Sequence, residues 1–329
     1  MDKREFYSYV GNQAQQYGIR RIRVQEGRAS GTQVIEAWTA GGLHVDILAD
    51  MALDLGMLRY KGVNMGFISK NGYDSPAAFI PYEDNFVNTF PGGMMYTCGL
   101  RSVGPAGRDG TEWHPLHGRF HGLQANDVCA DVRDGNIIIS GVMRETALFG
   151  HALELRRVIT IPALGSTVVV ADTLENLTAK PEEFMLLYHF NFGYPLLSEH
   201  AKLILPDGRK TAPRDDGAKA GLGSELVFER PKNGVAEQVF FHEAPETWAR
   251  LENPALGVAA SLRWNGDSLP ILAEWKSMAS GDYVLGLEPS NCYVMGRAAE
   301  RNNGTLKTIG AFETVQTRLE LRFEEILPC

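Results

Sequence analysis

The chain has 329 residues, 44% of them hydrophobic and 22% charged, an ordinary globular composition that excludes a disordered or fibrous protein. Its 40 acidic residues outnumber its 32 basic ones, so the net charge is −8, and a general nucleic-acid or anionic-membrane binder is excluded for want of a basic surface. No run of 18 apolar residues occurs, the opening MDKREFYSYVGNQ has no apolar stretch behind its charges, and Cys98, Cys129, Cys292 and Cys329 show no CxxC spacing. The expectation is therefore a cytoplasmic protein with free thiols, without a signal peptide or membrane helix.

Helical period is confined to the start, where residues 4–17 of a short N-terminal extension (1–20) allow one amphipathic helix with Phe6, Tyr9 and Val10 inward. Residues 21–26, 32–39 and 43–49 then alternate apolar and polar positions, the mark of half-buried strands. Segments 128–133 and 137–142 flank Asp134-Gly135, a dipeptide suited to a tight hairpin turn. Two longer strands follow at 152–161 and 166–174, then further strands at 184–190, 238–241, 257–264, 270–275, 283–288 and 314–323. Pro289 is expected to stop the ladder of segment 283–288. The 35 glycines punctuate these segments, and no linker rich in Pro, Ser or charge divides them. The fold class is all-β: one large antiparallel β-sandwich domain over residues 1–329, with 207–223 as an exposed excursion.

The signatures GxGxxG, GxxxxGK[ST], HExxH and GxSxG are missing, so no cofactor is implied and catalysis falls to side chains. His114, His117 and His121 share one Gly-rich loop, WHPLHGRFHGL, which is open to a metal reading although no carboxylate or cysteine pattern completes a ligand shell. In YHFNFGYP, His189 and Asn191 are two apart on a strand and face one side; a hydrogen-bonded core histidine is the plain alternative. Glu288 ends an apolar strand in GLEPSN, either solvated at an edge or turned into a cleft beside His189, where desolvation would suit it to act as a base.

These segments in this order resemble the aldose-1-epimerase (galactose mutarotase-like) superfamily, and GGMMYTCGL, PLHGR, YHFNFGYPLL and GLEPSN resemble its branch catalogued as a domain of unknown function. The resemblance spans about residues 30–325 and implies a large antiparallel β-supersandwich with a sugar in a cleft on one face. It implies a cofactor-independent mutarotase or epimerase: Glu288 takes the proton of the anomeric hydroxyl, His189 protonates the ring oxygen, and the opened ring closes inverted. His117 matches a histidine that hydrogen-bonds the sugar, whereas His121 looks supernumerary and His114 like surface. The family's Asn-Arg pair and its aspartate have no evident counterpart here.

Arg101, Arg119 and Arg297 lie in or beside the motif segments, and their convergence would suit an acidic sugar, since guanidinium groups grip anions bidentately. Trp275 and Trp113 are candidates to stack on a sugar face. The partner expected is a small-molecule sugar, with oligomeric state open. Two alternatives remain: a carbohydrate-binding protein without turnover, and a metal-assisted isomerase or lyase using His117 and His121.

Overall fold

The computed structural model describes residues 3–78, 80 and 85–327, so Cys329 lies outside them. Among the described residues there are two large antiparallel sheets, of twelve and eight strands, and a separate two-stranded hairpin, Gly107–Asp109 with Glu112–His114. The centre of the larger sheet runs Asp54–Tyr60, Met95–Leu100, Glu182–Phe192, Asp282–Ser290, Ile271–Ala279, Gln238–Glu243. The smaller sheet centres on Thr314–Glu325, Thr167–Asn176, Ala152–Pro162 and Asn136–Thr146. No described helix is long and apolar enough to cross a membrane.

Pattern explains the strands. Thr167–Asn176 alternates half-buried and buried positions, as a strand with one face on a core must. Its inward residues Val168, Val170 and Leu174 meet Phe184, Leu186, Tyr188, Phe190 and Phe192 of the larger sheet in one cluster between the sheets. Burying each such side chain contributes about 1.5–3 kcal/mol. Asp134 and Gly135 both take positive φ (51° and 74°) and close the hairpin with Arg133 opposite Asn136.

Two expectations are corrected. The helix covers only Lys3–Tyr9, because Gly11 interrupts it; Val10 is buried but Tyr9 is 79% exposed. Pro289 does not end its strand, which runs Asp282–Ser290 with Leu272 opposite Pro289. On the other side, however, the ladder to Glu182–Phe192 lapses between the rungs Leu187–Ser290 and Phe190–Leu287. Proline has no N–H to donate, and the interruption falls where His189 and Glu288 stand opposite each other.

The sheets are also tied by a buried ionic group. Arg157 is fully buried; its guanidinium donates to Asp172 Oδ2 (2.7 Å), Asp54 Oδ1 (2.7 Å), Thr97 Oγ1 (2.9 Å) and the carbonyl of Ala52 (3.0 Å). Tyr188 Oη donates to Asp172 Oδ2 at 2.7 Å. Arg157 and Asp172 belong to the smaller sheet, and Asp54, Thr97 and Tyr188 to the larger.

A candidate active site on the outer face of the larger sheet

Side chains alternate across a strand, so while Tyr188, Phe190 and Phe192 fill the core, Met185, Leu187 and His189 point to the opposite face. There a second apolar cluster, including Phe90, Tyr96, Val239, Phe241 and Ala273, lies under the loops that follow the strands. The register sets Tyr96 and Glu288 on either side of His189, with Ala273 beyond Glu288. One row across the sheet thus carries an imidazole and a carboxylate on an apolar floor.

His189 and Glu288 are 5% and 2% exposed, and His189 Nε2 lies 3.0 Å from Glu288 Oε1. The approach lacks the alignment of a hydrogen bond: no described protein group hydrogen-bonds Glu288 Oε1 or His189 Nδ1. Leaving a buried polar atom unpaired costs about 1–3 kcal/mol, which marks such atoms as functional candidates. Gly286 makes the space. A Cβ there would stand 2.6 Å from Glu288 Oε1, 3.0 Å from His189 Cε1 and 3.0 Å from Trp275 Cβ.

His117 comes from the loop before the short turn Phe120–Gly122. It and Gly118 take consecutive positive φ values, 58° and 80°. A Cβ on Gly118 would meet the Gly99 carbonyl oxygen at 2.3 Å, so the His-Gly pair is required for the loop to pass this close to the sheet. The His117 ring centre is 6.2 Å from that of His189, which is 5.2 Å from the Trp275 indole. Burial, reinforced by His189 and Arg214, pushes the His117 imidazole down to about 3. It is neutral at pH 7, and since Nδ1 accepts from the Gly104 N–H (3.4 Å), Nε2 carries the proton as a donor.

His117, His189, Trp275 and Glu288 line a cleft of about 640 Å³, walled by Phe67, Phe86 and Phe90. Arg214, Glu237, Lys70 and Asp282 complete its polar lining. Glu237 accepts from the Trp275 indole at 2.7 Å and pairs with Arg214 at 3.1 Å, while Lys70 pairs with Asp282 at 2.6 Å. Each cation of the cleft is matched by a carboxylate. Arg214 lies within the excursion 207–223 that the sequence marks only as loose, and it is anchored through a strand, Lys210–Pro213, with no alternation long enough to notice.

The other named residues lie elsewhere. Asn191 shares the face of His189 but donates both amide hydrogens to backbone, to Gly93 O (3.0 Å) and His189 O (3.1 Å), fastening the loop below Phe90 to the sheet. Arg101 and Arg297 do converge, but on carboxylates outside the cleft: Arg101 on Glu112 (2.7 Å) and Glu182 (3.2 Å), Arg297 on Asp109 (3.0 Å) and Glu183 (2.6 Å). Buried arginines require such pairing, and neither residue lines the cleft. Arg119 is half-buried near Glu145, also outside it. His114, expected at the surface, is 2% exposed in the hairpin with Glu112 3.7 Å away. His121 lies outside the cleft and packs on Tyr96, ring centres 4.4 Å apart, and Trp113 lies under Arg108. A grouping of metal-type donors, Glu36, His44 and Asp46, sits on outer strands away from this cleft.

The arrangement holds a carboxylate and an imidazole at touching distance beside a neutral imidazole donor, on a floor with an exposed indole edge. It can withdraw a proton from one oxygen of a substrate carbon and deliver one to a second oxygen on that carbon.

A family model described as a domain of unknown function (DUF4432) matches residues 29–323. No curated protein matches the sequence. A crystal structure from Klebsiella pneumoniae, of a protein assigned provisionally as an aldose 1-epimerase, superposes with a TM-score of 0.89 at 23% identity, covering 94% of this chain and 84% of that one. A galactose 1-epimerase from Lactobacillus acidophilus gives 0.62 at 16% identity over 94% and 100% of the two chains. A galactose mutarotase-like protein from Clostridium acetobutylicum gives 0.65 at 13% over 95% and 100%.

Proposed function

Because this chain belongs to the DUF4432 family and shares its fold with proteins named as 1-epimerases and mutarotases, we propose that it interconverts the anomers of a sugar by acid-base ring opening. The observation that carries this reading is the 3.0 Å approach of His189 and Glu288 at the floor of one cleft, from segments far apart in the chain. The hydroxyl and ring oxygens of a hemiacetal share one carbon. An acid and a base that serve both must therefore converge, and a buried carboxylate beside an imidazole is such a pair.

In this mechanism Glu288 removes the anomeric hydroxyl proton while His189 protonates the ring oxygen, and the C1–O5 bond breaks to give the open aldehyde. Rotation about C1–C2 presents the other carbonyl face. Closure returns the protons with the two roles exchanged, so nothing is consumed. His117, donating through Nε2, holds a sugar oxygen, and Trp275 offers an apolar face to the ring. The pairing of Arg214 with Glu237 favours a neutral aldose over an acidic sugar.

The test is polarimetry on freshly dissolved single anomers of a panel of neutral and acidic aldoses. Anomerisation of at least one neutral aldose well above the buffer rate, unchanged by chelator, is the expected result. Acceleration lost on chelation and restored by one divalent ion would replace this mechanism by a metal-assisted one. A sugar that binds without acceleration would leave a binding protein.

A further inference from the structure

The cleft is longer than a single ring needs. Asp282, Val284, Gly286 and Glu288 alternate onto the same face of one strand, and both Asp282 and Glu288 line the cleft. Six residues of strand separate them, about 20 Å at the usual rise. A pyranose seated with its anomeric carbon at Glu288 therefore cannot reach the Lys70–Asp282 pair. Between the two ends Gly286 has no side chain, and the Trp275, His189 and Glu288 side chains close over it to form the floor. The Trp275 N–H is already held by Glu237, which leaves the indole to act through its face and edge. At the far end the Lys70 and Asp282 side chains are 66% and 49% exposed, so the cleft opens to solvent there. An ion pair this exposed is weak and gives way readily to competing hydroxyl groups.

Resting on the anomerisation reading, we propose that the natural substrate is an oligosaccharide bound by its reducing end, with the anomeric centre at Glu288 and further units running along Asp282–Ser290 to Lys70 and Asp282. The cleft offers two things to a chain of neutral sugars: an indole beside the anomeric end, its ring centre 5.2 Å from that of His189, and a cation and a carboxylate that bond hydroxyls at the mouth.

The experiment compares glucose, cellobiose and cellotriose, and galactose with its β-1,4-linked dimer and trimer. Affinity is measured by calorimetry on the Glu288→Gln protein, and anomerisation by NMR exchange on the wild type. Binding that tightens about 2-fold to 10-fold per added unit in at least one series, each unit adding about one hydrogen bond or stacking contact, is the expected result. In Lys70→Ala the trimer should lose most of that gain. Equal affinity at every length in both series, or a length gain that Lys70→Ala leaves intact, overturns the proposal. The two readings fail separately. Anomerisation of monosaccharides without any length effect removes only the extended substrate, while length-dependent binding without anomerisation in the wild type removes only the acid-base chemistry.

Discussion

At the scale of single residues, the proposed chemistry requires each proton to be where ring opening needs it. His117 is held neutral by burial, with its pKa down to about 3, so it cannot be the group that titrates in the working range. Asn tolerates the left-handed backbone that His117 adopts and keeps a hydrogen-bonding amide. His117→Asn should therefore lower kcat/KM by about 10-fold, the scale of one neutral hydrogen bond, and leave the pH-rate profile above pH 5 unmoved. A displaced acid limb in the variant would show that His117 does exchange protons. Little of this was legible beforehand. The sequence marks which histidines lie near glycine, but the burial that silences His117, or that hides His114 in the hairpin, arises from segments brought together by folding. The arginines mislead for the same reason, since Glu182 and Glu183, which take up Arg101 and Arg297, are remote in the chain.

At the scale of elements, the strand Asp282–Ser290 organises the cleft through two residues with little side chain to offer. Pro289 interrupts the ladder at His189, and Gly286 clears room for Glu288 and Trp275. Gly286 has an ordinary φ, so Gly286→Ala is permitted by the backbone and obstructed only by the 2.6 Å approach to Glu288 Oε1. The variant should fold and lose at least about 10-fold in turnover, since an ångström of displacement at reacting groups costs that much or more. Turnover at the wild-type level would show that the tight packing around Gly286 is not needed. Strands with one wet face were readable from alternation. Asp54–Tyr60 and Met95–Leu100 were missed because nearly every position in them is buried, which erases the period-2 signal. Met95–Leu100 had been visible only as the motif GGMMYTCGL, without its place beside the His189 strand.

At the scale of the whole molecule, two sheets are clamped by charge as well as by apolar packing. Asp172→Asn strips Arg157 of one of its two paired carboxylates inside the core, leaving Asp54, and should cost about 1–3 kcal/mol, read as a lower denaturant midpoint; no loss at all would mean the cluster relaxes freely. Glu145, of the smaller sheet, accepts from the Leu100 N–H of the larger at 2.8 Å, and burial pushes its carboxyl up to about 7 from 4.5. The folded state then holds that proton more tightly than the unfolded chain, so its stabilising contribution is complete below pH 4.5 and is lost as pH rises through 7. Glu145→Gln keeps the neutral form at every pH. Its stability relative to wild type should rise between pH 4.5 and 8 by on the order of 3 kcal/mol, and a difference independent of pH would contradict the shift. The sandwich itself was legible from many short alternating segments, but not that the site would lie on the outer face of the larger sheet. The claim that this architecture supports an acid-base pair is tested most directly by NMR exchange between the anomers of an accepted aldose in wild type, Glu288→Gln and His189→Asn. Each variant should retain sugar binding and lose roughly 10²-fold to 10⁴-fold in exchange rate; exchange at the wild-type rate in either one would contradict the assignment.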